Sequence, residues 1–487
     1  MNAYVKATSS HFTKIASVAL RAQAQIQAAS SLLRVAKQNA RLQNDPPLRR
    51  SRDHDGKRRS HRSCVILVEN LPVPFDRRVW QEAQALRRAG WRVSVICPSN
   101  ASFPASFEIL DGVAIYRHPL PPERSGTLAY FREYSAALFH QARLLVKVWR
   151  EQGFSVIQAC NPPDLIFLVA APFKLIGKRF LYEQHDLSPE LFVVKYGNRK
   201  FLHQALLFFE RCSYAIADAV ITANATFKEI AGSRAGKDPS RIETVYGVPD
   251  HRRIYRVEPE PGLRAGRRFV IGYIGVINEQ DGVDHFVRAI SHLVREKRFD
   301  DFRAVIVGSG PALEGVRRLV DELGVADFVV FTGYLSGRRL LAHISAFDIG
   351  VIPDPFNAAN DVMSMNKVFE YCALGIPTAC YPLRETKRLL GEAGAYAPTL
   401  DPAGLAEACL SLMRDDALRD RCGDEAARLT RETFVWENEA KKYVDVYDRL
   451  LASMSTRPRR VRSGVAGAVG AGEYITTPSI PLENGKL

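Results

Sequence analysis

Lys367 and Glu370 stand three positions apart in the stretch Asn360–Pro377, a spacing that puts both side chains on one face of a helix. Asp361 or Ser364 can cap that helix, because a side-chain oxygen there accepts from the free amides of the first turn. Those amides and the helix dipole favour an anion. Gly375 and Pro377 end the helix. A cation beside open amides suits a diphosphate, and a carboxylate accepts hydrogen bonds from sugar hydroxyls. Together they suit a nucleotide-sugar. The plainer reading is a solvated Lys–Glu pair, worth about 0.2–0.5 kcal/mol.

Three further clusters bear on the choice. Tyr182–Glu190 follows an apolar run and carries His185, Asp186 and Glu190, groups able to orient a hydroxyl or move a proton; a turn capped by Asp186 is the structural alternative. Phe75–Arg78 brings Asp76, Arg77 and Arg78 into a strand-to-helix loop, where an Arg can grip a phosphate or an acidic acceptor. The alternative there is a capped helix start with solvated arginines. Gly308 and Gly310 also lie between a strand and a helix. A dinucleotide fingerprint needs glycine at the position held by Leu313, so this is a tight turn that admits a ligand to the backbone rather than a dehydrogenase signature. Asp53-His-Asp55 is a formal metal-binding pair, but it sits in a basic tail and is set aside.

The elements that must hold these residues follow from hydrophobic periodicity. Apolar runs are expected as strands at 63–68, 91–97, 156–158, 179–183 and 219–222, and again at 269–275, 302–308, 328–331 and 349–352. Helical stretches separate them. Strands apolar throughout and alternating with helices imply parallel sheets covered on both faces. The fold class is therefore α/β, with two Rossmann-like domains facing across a cleft. The expected layout is a basic extension at 1–62, a first domain at 63–250, a linker at 251–267, a second domain at 268–430, a closing helix at 431–454 and a tail at 455–487.

The 487 residues carry a net charge of +14. Residues 1–62 hold 13 Lys and Arg against 3 Asp and Glu, and the tail from 456 holds 5 against 2. The middle is nearly neutral, so no nucleic-acid-binding core is expected. An apolar stripe from Phe12 to Ala36 at helical spacing suits peripheral contact with an anionic membrane, with a disordered extension as the alternative. The eight cysteines form no C-x-x-C pair, which suggests reduced, buried thiols, a cytoplasmic setting and no metal site. No run is long enough for a membrane-spanning helix, and no secretory signal is evident.

Several segments in one order resemble the retaining glycosyltransferases of family 4, in the branch that builds bacterial exopolysaccharide, capsule and O-antigen. They are Asn70–Trp80, Asn161–Asp164, Glu183–Glu190, Ile271–Gly275 with Asp281–Asp284, Val307–Pro311, Phe331–Gly333 and Asn366–Pro377. The resemblance implies a GT-B fold, a UDP- or GDP-sugar donor in the second domain, and a lipid-linked saccharide acceptor in the first. It implies no metal and no cofactor. It places His185 and Lys367 at the catalytic centre; Asp361 is set there as a replacement for the family's second carboxylate, a role Asn360 could also fill. Glu370, Tyr371, Gly275, Gly308, Gly310, Tyr334, Leu335 and Ser364 fall on the donor, with Glu370 on the ribose. Asp76, Arg77, Arg78, Asp186 and Glu190 fall on the acceptor side. The family's second carboxylate, eight positions before the ribose Glu, is Val362 here, and the loop Gly275–Gly282 lacks the usual basic pair. Diphosphate charge is then expected to rest on Lys367, helix amides and Arg384. The departures leave two rivals in view: a catalytically degenerate scaffold of a polysaccharide assembly, and a nucleotide-sugar epimerase.

Overall fold

The computed structural model describes residues 62–119, 127–197, 199–250 and 252–455. The 12–36 stripe, the Asp53–Asp55 pair and the tail beyond Ser455 lie outside the described residues.

The first sheet contains β1 (Ser63–Leu67), β2 (Arg92–Pro98), β3 (Phe107–Leu110), β4 (Val113–His118), β5 (Val156–Cys160), β6 (Arg179–Gln184), β7 (Ala219–Thr222) and β8 (Ile242–Thr244). Their order is β3-β4-β2-β1-β5-β6-β7-β8. The second contains β9 (Phe269–Ile274), β10 (Phe302–Val307), β11 (Val329–Gly333), β12 (Ile349–Ile352), β13 (Thr378–Cys380) and β14 (Gly394–Tyr396), in the order β11-β10-β9-β12-β13-β14. All pairings are parallel except β3 with β4. The central strands are buried along their whole length, which is why they read as continuous apolar runs rather than alternating ones. Strand order reverses between β1 and β5 and between β9 and β12, and the carboxyl ends at such reversals are where ligands of open α/β sheets lie.

Each sheet is covered on both faces. In the first domain, the helix Arg77–Arg88 and the C-terminal helix Trp436–Ser455 cover one face, while the helices Thr127–Glu151, Phe167–Leu175 and Lys200–Ile216 cover the other. The closing helix therefore returns to the first domain. Tyr443, Val446, Tyr447 and Leu450 pack with Cys64 and Leu86, and Tyr447 meets Trp91 edge-on at 5.2 Å.

The expected linker is docked rather than open. Val257 N donates to Ser345 Oγ at 3.1 Å and Arg256 Nε to the Leu374 carbonyl at 2.7 Å, so this segment belongs to the second domain. The domains also touch directly. Asn224 Nδ2 donates to the Val362 carbonyl at 3.0 Å, Thr226 to Glu385, and Arg388 Nη2 to Glu229 at 2.7 Å.

Glu210, on the helix Lys200–Ile216, is fully buried, with Gln184 Nε2 at 3.0 Å and Arg234 Nη1 at 3.1 Å. Burial pushes its pKa up to about 7 from 4.5, and Arg234 opposes this only in part. Folded Glu210 thus keeps a proton that the unfolded chain releases. Its stabilising contribution is whole below pH 4.5 and is lost as pH rises through 7. The melting temperature is expected to fall across that window, and Glu210→Gln to flatten the fall. Identical pH profiles for the two proteins in calorimetry would refute it.

Candidate functional site

In the first domain the site is organised by a buried charge. Glu183, the fifth residue of β6, is fully buried and accepts from Arg78 Nη2 at 2.7 Å, from Gln158 Nε2 at 2.5 Å and from Cys160 Sγ at 3.3 Å. His185 Nε2 lies 3.1 Å from the same carboxylate. Burial alone raises the Glu183 pKa, but His185 and Arg78 outweigh it and hold the group below the usual carboxylate range. Glu82, one helical turn beyond Arg78 and 3.1 Å from its Nε, is also fully buried. Burial and the neighbouring Glu183 charge push its pKa well up, against Arg78. Two carboxylates beside one guanidinium have thus been driven apart in acidity. Arg78 also donates to the Val245 carbonyl at 2.9 Å.

The ligand atoms of Cys160, Glu183 and His185 lie within 4.8 Å of one another, as metal ligands would. The Glu183 oxygen is already engaged by Arg78, and a cation there would have to displace a guanidinium.

Several first-domain candidates have partners within the protein. Arg78 does not reach toward an acceptor; its guanidinium is spent on Glu183, Glu82 and Val245. Glu190 is held by Arg234, which also binds Glu210. Asp76 caps the helix Arg77–Arg88 by accepting from Val79 N at 3.1 Å. Asn161 fixes the backbone beyond β6: its Oδ1 accepts from His185 N at 2.7 Å and Asp186 N at 3.2 Å, and its Nδ2 donates to the Asp186 carbonyl. His185 is therefore positioned from both sides, by Asn161 on its backbone and Glu183 on its ring. Arg77, beside the cap, is exposed and makes no hydrogen bond or ion pair with any described residue.

In the second domain the helix Asn366–Ala373 follows β12 through a short 3-10 turn, Asn360–Val362. Its N-cap position is Met365, and no side chain caps it. Neither Asp361 nor Ser364 does what their sequence positions suggest. Asp361 Oδ1 accepts from Arg384 N at 2.9 Å at the start of the next helix, and Ser364 Oγ donates to Glu385 at 3.4 Å. Lys367 is buried and bound to Asp354 Oδ2 at 2.6 Å, with its ammonium 5.2 Å from the Tyr273 ring centroid. Burial raises the Asp354 pKa and Lys367 lowers it, the burial prevailing. Arg384 is likewise engaged, by Glu229 of the first domain.

Tyr371 is corrected from a donor contact to a core residue. It is fully buried, and its hydroxyl donates to the Gly272 carbonyl at 3.0 Å while accepting from Ile274 N at 3.2 Å. Leu335 has its side chain in the same core, whereas Tyr334 is partly exposed. Gly308 (φ 148°) is required by packing: a Cβ there would lie 1.9 Å from the Gly275 carbonyl oxygen. A Cβ at Gly310 would lie 2.2 Å from the Ile277 oxygen. These glycines let the loops after β9 and β10 touch, joined by Ile277 N to the Ser309 carbonyl at 3.1 Å.

Glu370 remains. It is half-buried and has no hydrogen-bond or ion-pair partner among the described residues. Burial raises its pKa, opposed first by Arg77 of the other domain and then by Lys367. The same Arg77 charge acts on Tyr334 and on Arg253. Glu370, Tyr334 and Arg253 thus lie within electrostatic reach of Arg77 of the first domain: an unpaired carboxylate, an aromatic ring and two guanidinium groups. This set can hold hydroxyls, a flat base and an anion. The sequence named Arg77 but missed Asp354, Glu82, Gln158 and Arg253. The Arg78–Glu82 spacing was a visible signal for one of these. Asp354, just past a strand end, was another.

A glycosyl transferase 4-like domain model matches residues 76–247, and a glycosyl transferases group 1 model matches residues 268–415. The chain belongs to the group 1 and 4-like glycosyltransferases. It is 27% identical over 164 residues to the alpha-D-kanosaminyltransferase of Streptomyces kanamyceticus, a match covering 33% of this chain and 41% of that one. With the 2-deoxystreptamine glucosyltransferase of the same organism it shares 26% over 281 residues, covering 55% and 70%. Among solved structures, sucrose-phosphate synthase of Thermosynechococcus elongatus superposes with a TM-score of 0.67 at 17% identity, covering 80% of this chain and 100% of that one. Anabaena HepE in complex with UDP-glucose gives 0.58 at 16%, covering 80% and 99%. The fold of this glycosyltransferase is GT-B.

The pairing pattern separates two residues on one helix. Lys367→Ala leaves the Asp354 carboxylate buried and unpaired and is expected to cost about 3–5 kcal/mol. Glu370→Ala removes a group with no partner and is expected to change stability by less than about 0.5 kcal/mol. Urea denaturation of both variants checks this, and equal losses would overturn the assignment.

Proposed function

We propose that the protein transfers a sugar from a UDP- or GDP-sugar to a lipid-linked saccharide, with retention at the anomeric carbon, in the assembly of a surface polysaccharide. The observation that carries the donor side is Glu370, an unpartnered carboxylate on the second-domain helix that feels the charge of Arg77 from the first domain. Glu370 accepts from the ribose hydroxyls, Tyr334 borders the base, and the diphosphate lies toward Arg77 and the uncapped amides of the helix Asn366–Ala373. The complex of HepE with UDP-glucose supports a nucleotide-sugar in a fold of this kind.

In the transfer, the bond from the anomeric carbon to the diphosphate oxygen breaks and a bond to the acceptor oxygen forms on the same face. The acceptor proton passes to the departing diphosphate. Charge developing there is stabilised by fixed cations and amides, the kind of preorganised field that supplies much of enzymatic rate enhancement. His185, oriented by Asn161 and Glu183, lies on the acceptor side toward the transferring sugar. Lys367, neutralised by Asp354, acts through its field rather than by contact. No metal or cofactor takes part in this reading. The missing basic pair and the engagement of Lys367 and Arg384 favour the scaffold as the second reading.

Thermal shift against a panel of nucleotides and nucleotide-sugars tests the proposal. A ligand at a hundred times its dissociation constant stabilises the native state by about 2.7 kcal/mol, and a rise in melting temperature with one UDP- or GDP-sugar is expected. Glu370→Ala should abolish it. Arg77→Ala should weaken the response to the nucleoside diphosphate while leaving that to the nucleoside. A protein that responds to no donor would favour the scaffold, and conversion of donor without any acceptor would indicate the epimerase.

A further inference from the structure

The outer surface of one helix layer in the first domain is apolar and basic at once. The helices Thr127–Glu151, Phe167–Leu175 and Lys200–Ile216 lie side by side on the sheet, and Trp149 meets Phe173 edge-on at 5.8 Å across the first two. Their outward positions carry Phe139, Trp149, Leu168, Leu175, Phe201 and Phe208, all exposed, with Leu175 at 90%, Phe201 at 84% and Phe208 at 60%. Such a concentration of large apolar groups marks an interaction surface. Between them stand Arg143, Arg150, Lys200 and Arg211, also exposed. Of the acids on these helices whose side chains are described, Glu210 is buried against Arg234 and Glu151 stands 4.0 Å from Lys147. No helix among the described residues is long and apolar enough to cross a membrane.

We infer that this layer docks on an anionic lipid surface, with its aromatic and leucine side chains in the headgroup boundary and its arginines and lysines on lipid phosphates. Charge selects the occupant. A second copy would bring the same basic face against this one. The chain's own 1–62 segment, with 13 basic against 3 acidic residues, would be repelled as well. An anionic bilayer answers both the apolar and the basic groups. Docking through this layer goes beyond the transferase reading and stands without it, because its test reads lipid contact rather than turnover.

The protein carries its own reporter. Of its four tryptophans, Trp80, Trp91 and Trp436 are buried, and Trp149 is 40% exposed on the layer. The full chain is mixed with vesicles of phosphatidylglycerol and phosphatidylcholine whose acyl chains are brominated. Quenching of Trp149 is expected, absent with phosphatidylcholine alone and with Trp149→Phe. The double variant Phe201→Ser with Phe208→Ser, at exposed positions, should keep its melting temperature and bind such vesicles about ten-fold more weakly. Vesicle binding without quenching, or binding unchanged in the double variant, would assign the contact to the basic extension and overturn the proposal. So would absence of binding, or self-association in sedimentation velocity that the double variant abolishes.

Discussion

The buried Arg78–Glu183 pair is the constraint on which the first domain's half of the cleft depends. Removing both charges from water is costly, and only close geometry with further hydrogen bonds offsets that cost. Here both sides have further hydrogen bonds: Glu183 also receives Gln158 and Cys160, and Arg78 also reaches Val245. Gln158 in turn accepts from Tyr443 at 2.7 Å and Tyr447 at 2.5 Å, so the C-terminal helix is tied to the same charge. Residues far apart in sequence converge on one carboxylate. The result fixes the start of the helix Arg77–Arg88 relative to the end of β6. Arg77 is held outward because Arg78 is held inward, and His185 sits where Glu183 can reach its ring.

What was legible in the sequence is what local physics dictates. Buried parallel strands must be apolar throughout, so β1, β5, β6, β9, β10 and β12 were visible. The hairpin of β3 and β4 was not, although Asp111 and Gly112 turn it with φ of 45° and 79°, a turn that Asp-Gly favours. Its outer strand alternates exposed with half-buried positions and offers no apolar run. The short strands β8, β13 and β14 have three residues each, too few for a period to show. Residue roles were less legible because they are set by partners distant in sequence. Lys367 reads as a free cation until Asp354 is brought beneath it. Asp361 reads as the cap of the helix that follows it and instead caps the one after. Tyr371 adjoins Glu370 on the helix, yet it points into the sheet.

These pairings redistribute charge at the cleft. Lys367, Arg384 and Arg78 each have an internal carboxylate, and a diphosphate would gain less from a cation already neutralised at short range than from one whose partner is only water. Arg77 comes from one domain, whereas Glu370 comes from the other. In the proposed reading, the groups that meet the donor are complete only when the domains face each other, and an isolated second domain would bind a nucleotide-sugar poorly even with its helix intact.

The direct contacts between the domains bear on the same point. Asn224, Thr226 and Glu229 of the first domain hold Val362, Glu385 and the Arg384–Arg388 pair of the second. Val362 and Met363 pack with Leu187 and Phe227. These second-domain groups flank the helix Asn366–Ala373 on both sides: the 3-10 turn leads into it, and the Arg384–Leu390 helix receives the Asp361 cap. Moving the first domain away would therefore strip buried partners from the segment that sets the helix start. It would also exchange the buried Asn224–Val362 and Thr226–Glu385 hydrogen bonds for bonds to water, so each contributes only its net stabilisation. In the proposed reading, donor-site geometry and domain approach are one equilibrium, and a ligand that bridges Arg77 and Glu370 would shift it by its preference for the faced arrangement.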